Sequence, residues 1–150
     1  MNKLNKWSFI VGLPIIAWLV WAITRPSINW DETRYATGIV MTVISFIAAE
    51  IYLIGFRTPP DRDTVEIAAV PVVLTIVYII LVLILNTILV FYHKGRAVEL
   101  LVMLNAILLL LYACTVYFAE RSIRNLKGRI NRSSHAAHKS AGFYEEQNKR

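Results

Sequence analysis

The sequence contains very little cysteine and histidine. Cys114 is the one cysteine among 150 residues, so no internal disulfide can form, and we expect its thiol to pack inside the protein as a small hydrophobe. The three histidines, His93, His135 and His138, fall in a predicted loop and a predicted tail rather than in a cluster with metal-ligand spacing. A glycine-rich phosphate-binding loop is also missing. These absences argue against an enzyme, and we expect no catalytic residues, no cofactor and no bound metal.

Charged residues are scarce away from the ends and loops, because four long apolar runs occupy most of the chain. The runs are Trp7–Thr24, Ala36–Phe56, Ala68–Tyr92 and Ala97–Ala119, and hydrophobic residues make up 57% of the sequence. Each run approaches or exceeds the roughly 20 apolar residues that cross a bilayer core of about 30 Å. Since lipid offers no water to backbone groups, the runs are predicted to be α-helices. The predicted fold is all-α, a polytopic membrane protein with four transmembrane helices in an antiparallel bundle.

The first run has some features of a secretory signal peptide, since Lys3 and Lys6 precede an apolar stretch. It is long for such a signal, it contains three tryptophans, and Arg25-Pro26 follows it rather than a small-residue cleavage site. We therefore interpret it as a retained first helix.

The basic charge is distributed unevenly between the two ends of the predicted bundle. If the amino terminus is cytoplasmic, twelve of the sixteen basic residues lie on the inner side, and only Arg25, Arg34, Lys94 and Arg96 lie outside. This bias follows the positive-inside rule and predicts that both termini face the cytoplasm, as an even number of crossings requires. We therefore expect a multi-pass protein of the cell membrane that contacts anionic lipid headgroups at the inner face and binds no nucleic acid.

The predicted domain organisation is a transmembrane domain followed by a basic tail. Residues 1–123 form the transmembrane domain, and residues 124–150 form a cytoplasmic tail that is expected to be partly disordered, because its composition becomes small and polar from Ser133. The predicted helices cover about residues 7–24, 36–56, 65–92 and 97–123.

The second helix carries a stripe of small residues at helical spacing. Gly38, Thr42, Ser45 and Ala49 fall within an arc of about 60°. Small residues at this spacing allow another helix to approach closely. We expect the stripe to pack against a helix of the same chain, and the alternative is a homodimer face.

The third and fourth helices each carry uncharged polar side chains on one face. These residues are Thr75, Tyr78 and Asn86 on the third helix and Asn105, Tyr112 and Thr115 on the fourth. Their distances from the turn between the helices match, so an antiparallel hairpin sets Asn level with Asn, Tyr with Tyr and Thr with Thr. The spacing predicts an interhelical polar ladder of hydrogen bonds.

Glu50 is the normally charged side chain that lies deepest inside the four runs, since Glu99 lies at the start of the fourth run. It lies seven residues before Arg57, or about 10 Å inside the inner end of the second helix. We expect this carboxyl group to be protonated or to be hydrogen bonded by Tyr78 or Tyr112. Two roles fit the position, a buried anchor that fixes the helix register and an intramembrane proton or cation site.

These features favour a non-enzymatic membrane protein that acts by association, as an accessory, regulatory, assembly or immunity-type subunit. Its partner would be another membrane protein or a second copy of itself. The alternative is a small homo-oligomeric transporter or channel that uses Glu50 as its proton or cation site. A holin-like pore former is a third possibility.

Overall fold

The computed structural model describes residues 3–25, 32–59, 65–93 and 96–147, and all regular structure within these ranges is helical. The four α-helices are α1 (Lys3–Ile23), α2 (Thr33–Ile51), α3 (Val65–Thr87) and α4 (Ala97–Gln147). A one-turn π-helix, Tyr52–Phe56, extends α2, and a second, Ile88–Tyr92, extends α3. The prediction of four helices is confirmed, and the apolar runs account for their positions.

Three of the helical segments are long and apolar enough to cross a membrane. They are Thr33–Phe56, Glu66–Tyr92 and Ala97–Lys139, and the shorter apolar stretch Trp7–Ile23 lies in α1. The exterior of the bundle is covered by exposed large apolar side chains such as Phe9, Ile54, Ile84 and Leu110. An apolar exterior of this extent is typical of a membrane protein, because water would oppose its exposure.

The polar side chains lie inside the bundle instead. The buried polar and charged residues are Thr42, Ser45, Thr75, Asn86, Asn105 and Glu120. This arrangement, with polar groups paired inside and apolar groups outside, is expected of helices that associate in lipid.

The four helices pack against one another in one bundle. α3 packs against α4, α2 packs against both, and α1 packs against α2 and α3. The indole nitrogen of Trp18 in α1 donates a hydrogen bond to Thr87 Oγ1 in α3 at 2.7 Å. Val11 and Ile15 bring α1 into the same apolar core as Val72 of α3.

The small-residue stripe of α2 is buried within the chain. Gly38, Thr42, Ser45 and Ala49 are all buried, and α3 and α4 both pack against α2. A β-carbon added at Gly38 would overlap Cγ2 of Val90, so glycine permits this close approach. In this structure the stripe therefore lies against other helices of the same chain.

Both π-helical turns lie where a helix ends. The amide of Arg57 donates to the Tyr52 carbonyl at 3.1 Å, and the amide of His93 donates to the Ile88 carbonyl at 3.0 Å. Each bond spans five residues, which widens the last turn and rotates its side chains relative to a regular α-helix. The first of these turns includes Tyr52, whose hydroxyl reaches α4.

The fourth helix ends later in the chain than predicted. α4 continues through residues 124–147, where a partly disordered tail was predicted, and residues 148–150 lie outside the described part of the chain. The segment has no proline and contains alanine, lysine and arginine, which favour helix. Its small and polar composition was therefore misread as a sign of disorder.

Cys114 also differs from its prediction, because it is exposed on the outer surface of α4 rather than packed inside.

Candidate functional site

A chain of hydrogen bonds through two asparagines joins three helices. Asn105 Nδ2 of α4 donates to Asn86 Oδ1 of α3 at 2.7 Å, and Asn86 Nδ2 donates to Thr42 Oγ1 of α2 at 2.8 Å. Thr42 in turn donates to the Gly38 carbonyl at 2.9 Å. All the side chains are buried, so the chain fixes the relative depth of the three helices. The level pairing of Asn86 with Asn105, predicted from the hairpin, is present.

The two tyrosines of the hairpin stack on each other. The rings of Tyr78 and Tyr112 are nearly parallel, with an interplanar angle of 7° and centroids 4.2 Å apart. The Tyr112 hydroxyl lies 2.9 Å from Thr75 Oγ1, and Thr75 donates to the Pro71 carbonyl at 2.8 Å. Because the Thr75 proton is used in that bond, Tyr112 is the donor to Thr75. The predicted tyrosine pair therefore meets through its ring faces.

Thr115 does not belong to this cluster, which corrects the predicted pairing of Thr75 with Thr115. Thr115 is exposed, and its hydroxyl donates to the Leu111 carbonyl of its own helix. At 100° per residue it lies about 80° around α4 from Asn105, which turns it out of the interface. The Tyr112 hydroxyl contacts Thr75 instead, because the long tyrosine side chain reaches toward that level.

Among the described residues the hydrogen-bond partner of Glu50 is Ser8 rather than Tyr78 or Tyr112, which corrects the predicted bond to a tyrosine. The Ser8 hydroxyl of α1 donates to Glu50 Oε2. The second oxygen, Oε1, is buried and has no hydrogen-bond partner among the described residues. Glu50 is half-buried beside an apolar groove of 390 Å³ on the outer surface of α2. It faces α1 because it is rotated by about 100° from Ala49 of the buried stripe.

A second carboxylate, Glu120, was missed by the sequence analysis. It is 5% exposed and accepts a hydrogen bond from the Tyr52 hydroxyl at 2.6 Å. The Thr58 amide lies 3.3 and 3.2 Å from its two oxygens, and the Thr58 hydroxyl donates to Oε2. Glu120 thus ties α4 to the end of the α2 π-turn and to the loop that follows.

Helical periodicity could have revealed Glu120. Counted from Asn105, Glu120 lies about 60° around α4, and buried Val116 and Ile123 lie within about 20° of Asn105 itself, so all four share one side of the helix. The residue lies within the predicted fourth helix, about residues 97–123, but just beyond the apolar run that ends at Ala119, and no contact was predicted for it. Lys127 also connects α4 to the segment after α2, since its Nζ donates a hydrogen bond to the Pro59 carbonyl at 2.8 Å.

The polar side chains described above mainly hold the helices together. No group of three or more His, Cys, Asp or Glu residues is placed to hold a metal ion in the described ranges. The polar groups mainly contact one another across helix interfaces, and Asn105 Oδ1 and Glu50 Oε1 are buried acceptors with no partner in that part of the chain. Of these two, only Glu50 lies beside an open groove.

No protein-family profile, curated protein or solved structure matches this chain.

Proposed function

We propose that this protein is a multi-pass protein of the cell membrane that acts by association with another membrane protein, as an accessory, regulatory, assembly or immunity-type subunit. In this proposal the chain crosses the bilayer four times, both termini are cytoplasmic, and the protein performs no catalytic chemistry of its own. The charge distribution supports the orientation, and the projection of α4 beyond the other helices supports the association.

The charge distribution supports the orientation. α1 and α2 are antiparallel, since Ser8 near the start of α1 contacts Glu50 near the end of α2. The start of α1, the α2–α3 loop and the α4 extension therefore share one end of the bundle. By sequence, the segments proposed to lie on this side contain twelve of the sixteen basic residues of the chain, and a positively charged side faces the cytoplasm in most membrane proteins.

The observation that carries the association proposal is the projection of α4 beyond the bundle. Lys127 donates to the Pro59 carbonyl just after the α2 π-turn, and α4 continues from Gly128 to Gln147, about 29 Å of helix. From Gly128 to Lys139, Ile130 is half-buried and every other side chain is exposed. A helix of this length that projects from the bundle offers a large surface to a partner, and it has little use in a minimal pore.

Cysteine labelling tests the orientation. In a Cys114→Ala background, a cysteine in place of Ser134 should react with a membrane-impermeant maleimide only after the cells are permeabilised. A cysteine in place of His93, at the other end of the bundle, should react in intact cells. Labelling of Ser134→Cys in intact cells would contradict the proposed orientation.

Photocrosslinking from α4 tests the association. A photoreactive phenylalanine analogue at Ser134 should form one discrete adduct with a different polypeptide in cells, whereas the same group at lipid-facing Ile107 should not. The double variant Arg132→Glu/Lys139→Glu should lose the adduct, and Arg96→Glu at the opposite end should keep it. An adduct of twice the monomer mass, or an adduct indifferent to the tail charges, would contradict the proposal.

A second candidate function rests on the unpaired oxygen of Glu50. A buried carboxylate with one free oxygen beside an open groove could bind a proton or cation if copies of the chain assemble around it, so a homo-oligomeric transporter or channel is the alternative. Glu50→Gln should then abolish proton flux in proteoliposomes, and Glu99→Gln, an exposed carboxylate near the opposite end, should not. Absence of flux for the wild-type protein would contradict this alternative.

A further inference from the structure

A groove on the outer surface of the bundle runs between α2 and α4. It has a volume of about 260 Å³, and its apolar walls include Ala48, Ile51, Leu109, Ala113 and Val116. At one end it reaches Glu120 and Arg124. The groove is therefore apolar along its length and charged at the end from which α4 leaves the bundle.

The length of the groove corresponds to one leaflet of a bilayer. Leu109 and Glu120 are eleven residues apart on α4, or about 17 Å along the helix axis. Half of the hydrocarbon core of a bilayer is about 15 Å thick. An extended acyl chain that enters from the charged end would thus fill the groove to about the middle of the membrane.

A second cavity, rich in arginine, adjoins the charged end. It has a volume of about 320 Å³. Its lining residues all come from one side of two turns of α4 and are Arg124, Asn125, Gly128, Arg129 and Arg132. A β-carbon added at Gly128 would meet nothing within 4 Å, so the floor of this notch is open. Arg124 lines both the groove and the notch. Guanidinium groups bind phosphate through paired, charge-assisted hydrogen bonds.

Glu120 offsets only part of this positive charge, because one carboxylate stands against three arginines at this end. Tyr52 and Thr58 already donate hydrogen bonds to its two oxygens from the α2 side, and the residue is buried. Arg124 lies one helical turn further out, and Arg129 and Arg132 lie further still. The charge available at the mouth of the groove is therefore positive and complementary to an anion.

We propose that the α2–α4 groove and the arginine notch form one binding site for an anionic phospholipid. One acyl chain occupies the groove, and the phosphate contacts Arg124, Arg129 and Arg132. The inference rests on the membrane placement proposed above and does not depend on the identity of a protein partner. A lipid held in this way would stiffen the junction between the bundle and the projecting part of α4.

Native mass spectrometry of the full-length protein tests this site. The protein is released from lipid discs that contain equal amounts of dioleoyl phosphatidylglycerol and dioleoyl phosphatidylcholine, and the lipids that remain bound are counted. We expect one phosphatidylglycerol to be retained per chain. Arg124→Gln should reduce the preference for phosphatidylglycerol about fivefold, the effect of one basic residue near a membrane surface. Arg121→Gln, an exposed arginine outside both cavities, should leave the preference unchanged.

Substitutions that fill the groove test whether an acyl chain occupies it. Ala113→Trp should abolish lipid retention, whereas Ala106→Trp, the same change on α4 beyond the groove, should not. Equal retention of the two lipids by the wild-type protein would overturn the proposal. Undiminished retention in Ala113→Trp, with loss only in Arg124→Gln, would also overturn it, because the headgroup alone would then be bound. Neither failure would affect the Ser134 crosslink, whereas a protein that does not enter lipid discs would contradict the membrane placement itself.

Discussion

One face of α2 packs against α3 and α4, whereas another face of the same helix meets α1 beside an open groove. The first face carries the buried small-residue stripe and leads to Tyr52, which donates to Glu120. The second face carries Glu50, whose single donor is Ser8. Each face thus has one carboxylate close to it. Within the described residues, Glu120 accepts hydrogen bonds from three donor groups, whereas Glu50 accepts a hydrogen bond from one.

This difference separates a structural carboxylate from one with spare bonding capacity. A buried acceptor with several donors holds its neighbours in place, and its removal leaves those donors unpaired. An acceptor with one donor and one free oxygen contributes less to stability and remains available to another group. We therefore assign the anchoring role to Glu120, although the sequence pointed to Glu50 as the possible anchor.

The largest expected effect is that of Glu120→Leu. The change leaves the Tyr52 hydroxyl and the Thr58 amide without an acceptor and should lower the free energy of unfolding by about 3 kcal/mol. Glu120→Gln retains one acceptor oxygen and should cost about half as much. Denaturant titration in a mild detergent measures both variants. Wild-type stability in Glu120→Leu would contradict the anchoring role.

Leucine substitutions at two glycines compare the packing of the two faces. Gly38→Leu forces a side chain into Val90 and should cost about 2 kcal/mol, the typical effect of overpacking. Gly55→Leu lies beside the Glu50 groove with open space around it and should change the melting temperature little. Val90→Ala should recover part of the loss from Gly38→Leu. Equal effects at both glycines would remove the distinction between the two faces.

Asn105→Leu should have a smaller effect of about 1 kcal/mol, in the range measured for hydrogen bonds between membrane helices. The change removes one donor to Asn86 but leaves the bond from Asn86 to Thr42 intact. Cys114→Leu, at an exposed position of the same helix, serves as the control for an added apolar side chain. A loss greater than that of Glu120→Leu would reverse the proposed ranking.

The smallest expected effect is that of Glu50→Leu. It breaks only the bond from Ser8, so it should cost less than about 1 kcal/mol and match Ser8→Ala. Thermal unfolding of the two variants in the same detergent gives the comparison. If Glu50→Leu proved as damaging as Glu120→Leu, both carboxylates would be anchors, and the contrast between the two faces of α2 would fail.

The features that follow from helical periodicity were predictable from the sequence. The apolar runs give α2 and α3 with their π-turns to within a few residues, and the spacing about the α3–α4 turn predicts the contact between Asn86 and Asn105. The stripe that begins at Gly38 and ends at Ala49 indicated the face of α2 that is buried. In each case the repeat of the helix determines which residues share a face.

The features that depend on a third helix were not predictable in the same way. The depth of Glu50 matches that of Tyr78 and Tyr112, but α2 turns its side chain toward α1, and depth alone does not give rotation. The bond between Tyr52 and Glu120 joins residues 68 positions apart, and Tyr52 begins a π-turn for which the sequence has no clear signal. The exposure of Cys114 likewise depends on which face of α4 the other helices cover.

The native mass of the tagged, full-length protein, extracted together with its surrounding lipid by an amphipathic polymer, tests the association proposal most directly. We predict a defined complex in which this chain and a second, different polypeptide occur in a fixed ratio. A monomer or a pure homo-oligomer would contradict the proposal, and a homo-oligomer would make proton flux through Glu50 the next property to measure.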